Sequence, residues 1–205
     1  MQSSYSTHSQ TLSPSQTLSQ VLWSDQSYQW ARFAFFAIAG SIALAVSSKV
    51  SIPALPVPFT LQTLVVLLLG FAYGPALAGA TVGLYLLQGA FGLPVFQGSP
   101  EKGLGLAYMM GPTGGYLVGF FFASIFCGKL AKMGWDRRFS TMALGMVLGN
   151  VIIYAFGLAW LGSLIGWDKP ILQYGMTPFL IGDLIKIAVA VALVPMIWKR
   201  VNRKS

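Results

Sequence analysis

The sequence predicts an all-α integral membrane protein of six transmembrane helices, and three observations predict it. Hydrophobic residues make up 55% of the chain and charged residues only 9%, where soluble domains carry about 25% charged. Apolar stretches bounded by Pro, Gly or charge follow one another from residue 30 to residue 198. The Lys and Arg residues gather at the ends of those stretches, as topology signals do. The net charge of +8 does not predict nucleic acid, because no basic stripe with interleaved aromatics is present. The environment expected for residues 30–205 is a lipid bilayer, with 1–29 as a separate polar tail.

That tail is rich in Ser, Thr and Gln, cannot form a core, and is expected to be disordered or loosely held at the interface. It lacks the basic start and apolar run of a signal peptide. The first span is expected from Trp30 to Ser48, with small residues on two ridges: Ala37, Ser41 and Ala45 on one, Ala39 and Ala43 on the other. Small-xxx-small spacing lets another helix approach closely in lipid. Pro53, Pro56 and Pro58 exclude helix from the linker 49–58. The second span, Phe59 to Tyr73, is short for a bilayer that needs about 20 residues. Its polar entry (Thr60, Gln62, Thr63) points toward a cavity rather than lipid. Gly74-Pro75 breaks it, and a third span runs from Pro75 to Phe91.

The segment Gly92 to Met110 is the longest loop, of the kind that forms lids and binding loops. Gly111-Pro112-Thr113-Gly114-Gly115-Tyr116 opens a fourth span reaching Leu130, its paired glycines allowing close backbone approach. The fifth span is expected over Thr141 to Ile165 and the sixth over Pro178 to Trp198, with a loop carrying Trp167, Asp168 and Lys169 between them. Six spans put both termini on one side. With the termini inside, the inner set is Arg32, Lys129, Lys132, Arg137, Arg138, Lys199, Arg200, Arg203 and Lys204, against Lys49, Lys102 and Lys169 outside. That asymmetry predicts cytoplasmic termini.

Two opposite charges, Asp183 and Lys186, stand inside the last span, and nothing else from Pro178 to Trp198 is ionisable. An ionisable side chain at a span centre costs about 2.5–3.5 kcal/mol on insertion scales, so a retained pair marks a functional site. Their i, i+3 spacing sets both heads on one helical face. The predicted topology puts them toward the outer side, with the Gly92–Met110 loop. Polar groups expected near that face are Thr60, Gln62, Gln97 and Tyr116, joined by Tyr85, Gln88, Asn150 and Tyr154 if their spans tilt inward. Phe59, Phe91, Phe96, Tyr108 and Trp167 are the nearby aromatics. This set suits a small organic solute with an apolar body and a few hydrogen-bonding groups. The sole histidine, His8, lies in the tail, which leaves no His-based hydrolase or metal site among the spans. Cys127 is the only cysteine and reads as a small buried hydrophobe. No enzyme, cofactor or metal is expected. No nucleotide motif is present, so any energy from ATP must enter through another subunit.

Four motifs taken together, Pro56-Val-Pro-Phe-Thr-Leu-Gln-Thr-Leu64, Leu93-Pro-Val-Phe96, Gly111-Pro-Thr-Gly-Gly-Tyr-Leu117 and Pro178-Phe-Leu-Ile-Gly-Asp-Leu-Ile-Lys186, resemble the BioY family. These are the biotin-binding membrane subunits (S components) of energy-coupling factor transporters, and the resemblance covers about Ala31 to Trp198. It implies an S-component-like bundle in a bacterial-type cell membrane that captures biotin from outside. A transmembrane coupling subunit and two cytoplasmic ATPases would be its partners, although some family members are thought to work without them. Asp183 and Lys186 are similar to the family's biotin-contacting pair. Ala39 and Ala43 match its docking surface for the coupling subunit. A subunit for another small vitamin and a stand-alone solute transporter are the alternatives.

Overall fold

Gly74 shows how breaks in the apolar pattern become turns. Its φ of +77° ends one helix, and Pro75 takes the first position of the next, where a missing N–H costs nothing. In the computed structural model, which describes residues 16–22, 29–52 and 56–202, the chain forms α1 (Leu18–Leu22), α2 (Gln29–Lys49), β1 (Ser51–Ile52), β2 (Phe59–Thr60), α3 (Gln62–Tyr73), α4 (Pro75–Ala90), α5 (Gly105–Met109), α6 (Gly114–Lys132), α7 (Phe139–Ile165), α8 (Ile171–Gly175) and α9 (Leu180–Asn202). Among the described residues, four stretches are long and apolar enough to cross a membrane: Gln29–Lys49, Gly114–Lys132, Phe139–Ile165 and Ile171–Arg200. The helices α3 and α4, of 12 and 16 residues, are shorter.

Helix α6 is the central element. Two of its glycines bring it against α7: a Cβ on Gly119 would stand 2.8 Å from the Ile153 backbone, and one on Gly115 would meet the Phe156 carbonyl and the Trp160 ring. A third, Gly128, abuts the Gly74–Pro75 turn. Close approach through small residues replaces, in lipid, the hydrophobic drive available in water. Val66, Leu67, Phe71, Val82, Ala123, Cys127, Met142, Met146 and Ile153 fill the interior. Cys127 sits there as a buried apolar side chain, its Sγ 3.8 Å from the Gly145 carbonyl. On α9 the buried residues Asp183, Lys186, Ala190, Val194 and Trp198 recur at three- and four-residue steps, the helical stripe expected of one inward face. Ile181, Leu184, Ile185 and Leu193 point outward.

Several elements differ from the sequence expectations. Phe59 and Thr60 are not helical; they pair antiparallel with Ile52 and Ser51, and α3 starts only at Gln62. The proline-rich approach enforces this, since no helix can form through Pro56 and Pro58. The long loop contains the short helix α5, and the loop before α9 contains α8. Most of the polar tail lies outside the described residues, as do Pro53, Arg203 and Lys204. Within it, Thr17, Leu18 and Ser19 are buried rather than loose. Thr17 packs on the turn at Gly74, and Arg137 donates to the Gln16 carbonyl at 3.4 Å.

Candidate functional site: a buried ion pair beside an aromatic cavity

The site forms where α3 stops short. Twelve residues span about 18 Å, against a hydrocarbon core of about 30 Å. The chain leads into α3 through the β1–β2 pair and residues 56–58, and irregular backbone of this kind is tolerated at membrane depth where it lines a cavity. A cavity is present there, with about 590 Å³ of atom-free space, open solvent at its mouth included. Its walls include Phe59, Thr60, Gln62, Thr63, Phe96, Tyr108, Tyr116, Phe120, Ile153, Tyr154, Phe179, Asp183 and Lys186.

Asp183 and Lys186 are 4% and 7% exposed, and their heads meet at 2.9 Å. Lys186 Nζ also donates to the Thr60 carbonyl at 2.7 Å and to Thr63 Oγ1 at 2.8 Å. All three ammonium donors are therefore occupied. The same nitrogen lies 4.1 Å from the centre of the Phe59 ring, a cation–π contact strengthened where water is scarce. Asp183 accepts from Lys186 and, at 3.3 Å, from Thr63 on Oδ1, and from the Tyr154 hydroxyl on Oδ2. A carboxylate has about four acceptor positions, so one remains for a further donor. The local sequence explains the geometry. Gly182 precedes Asp183 because the Phe59 ring occupies the place of its side chain, and Phe59 stacks on Phe179 with centroids 6.1 Å apart.

Of the residues singled out from sequence, Asp183, Lys186, Gln62, Thr60, Phe59, Tyr116, Phe96, Gln97, Tyr108 and Tyr154 reach the cavity wall. Tyr116 contributes its ring, while its hydroxyl donates to the Gly175 carbonyl at 2.8 Å. Tyr85 and Asn150 do not reach the wall. Tyr85 stands behind it, accepting from Gln62 Nε2 at 2.7 Å and donating to the Val95 carbonyl at 3.2 Å. Asn150 is buried in α7 with its Oδ1 lacking a hydrogen-bond partner. Gln88 accepts from Ser41 at 2.5 Å in the α2–α4 interface, and Phe91 and Trp167 are exposed. Sequence reasoning set Thr63 at a polar entry facing a cavity and Tyr154 among the groups that could tilt inward, but placed neither in the binding set. Thr63 follows Gln62 in the first turn of α3, and that position at the polar entry was the available signal. The two ridges of α2 separate: Ala37 and Ser41 are buried, Ala39 is half-buried and Ala43 is exposed.

The model of the BioY family matches residues 17–203. The chain belongs to the BioY family. The match takes in α1, and so reaches further toward the N-terminus than the four motifs do. Among relatives, the "Biotin transporter BioY" of Thermotoga maritima is 38% identical over 159 residues, covering 78% of this chain and 90% of that one. The "Probable biotin transporter BioY" of Pyrococcus horikoshii is 35% identical over 149 residues, covering 73% and 85%. A crystal structure of the S component for biotin from an ECF-type ABC transporter superimposes with a TM-score of 0.69 at 23% identity, covering 85% of this chain and 95% of that one. At that identity the likeness speaks for the fold. This BioY-family chain is thus a helical membrane protein with the S-component fold.

Proposed function

We propose that this BioY-family protein captures biotin at the cavity between α3, α6, α7 and α9 and serves as the substrate-binding subunit of an energy-coupling factor transporter rather than as an enzyme. The observation that carries the reading is the Asp183–Lys186 pair, buried at the edge of an aromatic-walled cavity and left with one unused carboxylate position. Biotin offers a ureido ring with N–H donors and a carbonyl acceptor, an apolar thioether ring and a carboxylate tail. A ureido N–H fills the free position on Asp183. Lys186 turns one donor from Thr63 to a ligand oxygen, while the Phe59, Phe96 and Tyr108 rings cover the apolar part. Gln62, Thr60, Thr63 and Tyr154 hold the charged pair or line the pocket, with Tyr85 and Asn150 supporting from behind.

In this reading α2, α3, α4, α6, α7 and α9 are six spans with both termini cytoplasmic, in the plasma membrane. Supporting it, Lys49 and Lys102 belong to the cavity end, while Lys129, Lys132, Arg137, Arg138, Lys199 and Arg200 follow the opposite ends of α6 and α9, in keeping with the positive-inside rule. The cavity then opens outward. The outward Ala43 and its ridge neighbour Ala39 suit docking of a coupling subunit that carries two ATPases. Native mass measurement of the purified protein tests the ligand: a co-purified mass equal to biotin is expected, and a different small vitamin in its place would replace the substrate assignment.

A further inference from the structure

The segment Val95–Ser99 supplies one wall of the cavity through Phe96 and Gln97, yet it belongs to no regular element. Three of its backbone carbonyls accept from the end of another helix, with Tyr85 and Ser99 Oγ as second donors to those of Val95 and Phe96. Lys49, the last residue of α2, donates Nζ to the Phe96 carbonyl at 2.8 Å and to the Ser99 carbonyl at 3.0 Å. One residue earlier, Ser48 Oγ donates to the Val95 carbonyl at 2.8 Å. Gln97 Nε2 reaches Ser51 Oγ at 3.3 Å. The wall is therefore fastened to α2, and Lys49 supplies the cationic donor to its backbone carbonyls, while Lys102 Nζ reaches the Gln97 side chain at 3.3 Å. On the other side, the buried Phe96 ring stacks on Tyr108 at 4.9 Å and meets Tyr85 edge-on at 5.4 Å. Gly89 on α4 has no side chain because Phe96 occupies that space. A ring seated this tightly can leave the cavity wall only if its backbone lets go.

We propose that Lys49 is a positioning residue that clasps the Val95–Ser99 segment over the cavity and thereby sets how long a bound ligand stays. The inference rests on the biotin-capture reading for the ligand, but the clasp itself is a property of the empty protein. Charge-assisted hydrogen bonds are about twice as strong as neutral ones, and changes at one binding surface act mainly on the off-rate. Lys49→Met removes the donors while keeping most of the stem; Lys49→Arg keeps donors and charge.

Two measurements on the full-length protein in detergent test it. Without ligand, amide hydrogen exchange over 95–99 is expected to quicken by about tenfold in Lys49→Met, with α6 and α7 unchanged and Lys49→Arg close to wild type. With labelled biotin, the dissociation rate is expected to rise by about tenfold in Lys49→Met while the association rate moves less than threefold, and Lys49→Arg is expected to restore it. An unchanged dissociation rate in Lys49→Met, beside a wild type that holds biotin, overturns the assignment even if exchange quickens. Unchanged exchange overturns the clasp independently of any ligand. A wild type that binds no biotin overturns the capture reading, and the residence claim with it.

Discussion

Helix α9 carries a buried acid contact near each end, and the two differ in kind. Near the cavity, Asp183 faces a lysine, a threonine, a tyrosine and open space. At the opposite end, Asp136 in the α6–α7 turn is fully buried and accepts from Trp198 Nε1 at 2.5 Å, with the Arg137 guanidinium 4.5 Å from the Trp198 ring. The wall of the cavity beside Asp183 does not include Asp136. Both carboxylates cost desolvation energy. The first has several partners that can be exchanged and a cavity beside it. Burial of charge marks both places, and a binding site needs the adjoining space as well. The far contact ties the last turns of α9 to the α6–α7 turn.

The largest effect that separates the two ends is expected from Asp183→Asn. It leaves Lys186 buried without its counter-charge, and breaking such a pair costs about 2–5 kcal/mol. Biotin affinity is expected to fall by at least about 100-fold in equilibrium binding, while the protein still elutes as a single species. Tyr154→Phe removes one donor to the same carboxylate, and a loss of about tenfold is expected. At the other end, Trp198→Phe leaves Asp136 without its indole partner. The melting temperature is expected to fall by about 4 °C, with affinity changed less than about twofold because the cavity is untouched. A tenfold loss of affinity in Trp198→Phe would erase the distinction between the ends.

The smallest effect concerns pH. Burial pushes the Asp136 carboxyl up to about 6, against the opposing pull of the Trp198 N–H. The native state therefore holds this proton more tightly than the unfolded chain does. The resulting stabilisation is complete below the ordinary carboxylate range and is lost as pH rises through about 6. Wild-type protein is expected to melt slightly higher at pH 5 than at pH 7, and Asp136→Asn to lose that increment. An increment that persists in the variant would assign the titration elsewhere.

Legibility in the sequence followed the same division. The charged pair was visible because Asp183 and Lys186 interrupt an otherwise apolar run, and membrane burial makes such interruptions costly. The short second helix was visible in the prolines before it, although the strand pairing of Phe59 with Ile52 was not, since two residues carry no period. Thr63 and Tyr154 could not be chosen over Asn150 and Tyr85, because helical rotation decides which polar group meets the cavity and an all-round apolar helix leaves rotation unmarked. In the sequence Asp136 is one acid beside Arg137 and Arg138, between two apolar stretches. Its burial depends on the distant Trp198, and no local pattern announces a contact across that separation. Thr17–Ser19, polar by composition, are buried by packing on a turn whose shape only the folded chain supplies.

The most direct test is an equilibrium titration of biotin into purified wild-type protein and, in parallel, into Asp183→Asn. Saturable sub-micromolar binding by the wild type, with near-complete loss in the variant at unchanged helicity, is the predicted result. Equal affinity in the two proteins would remove the buried pair from the site and contradict the account.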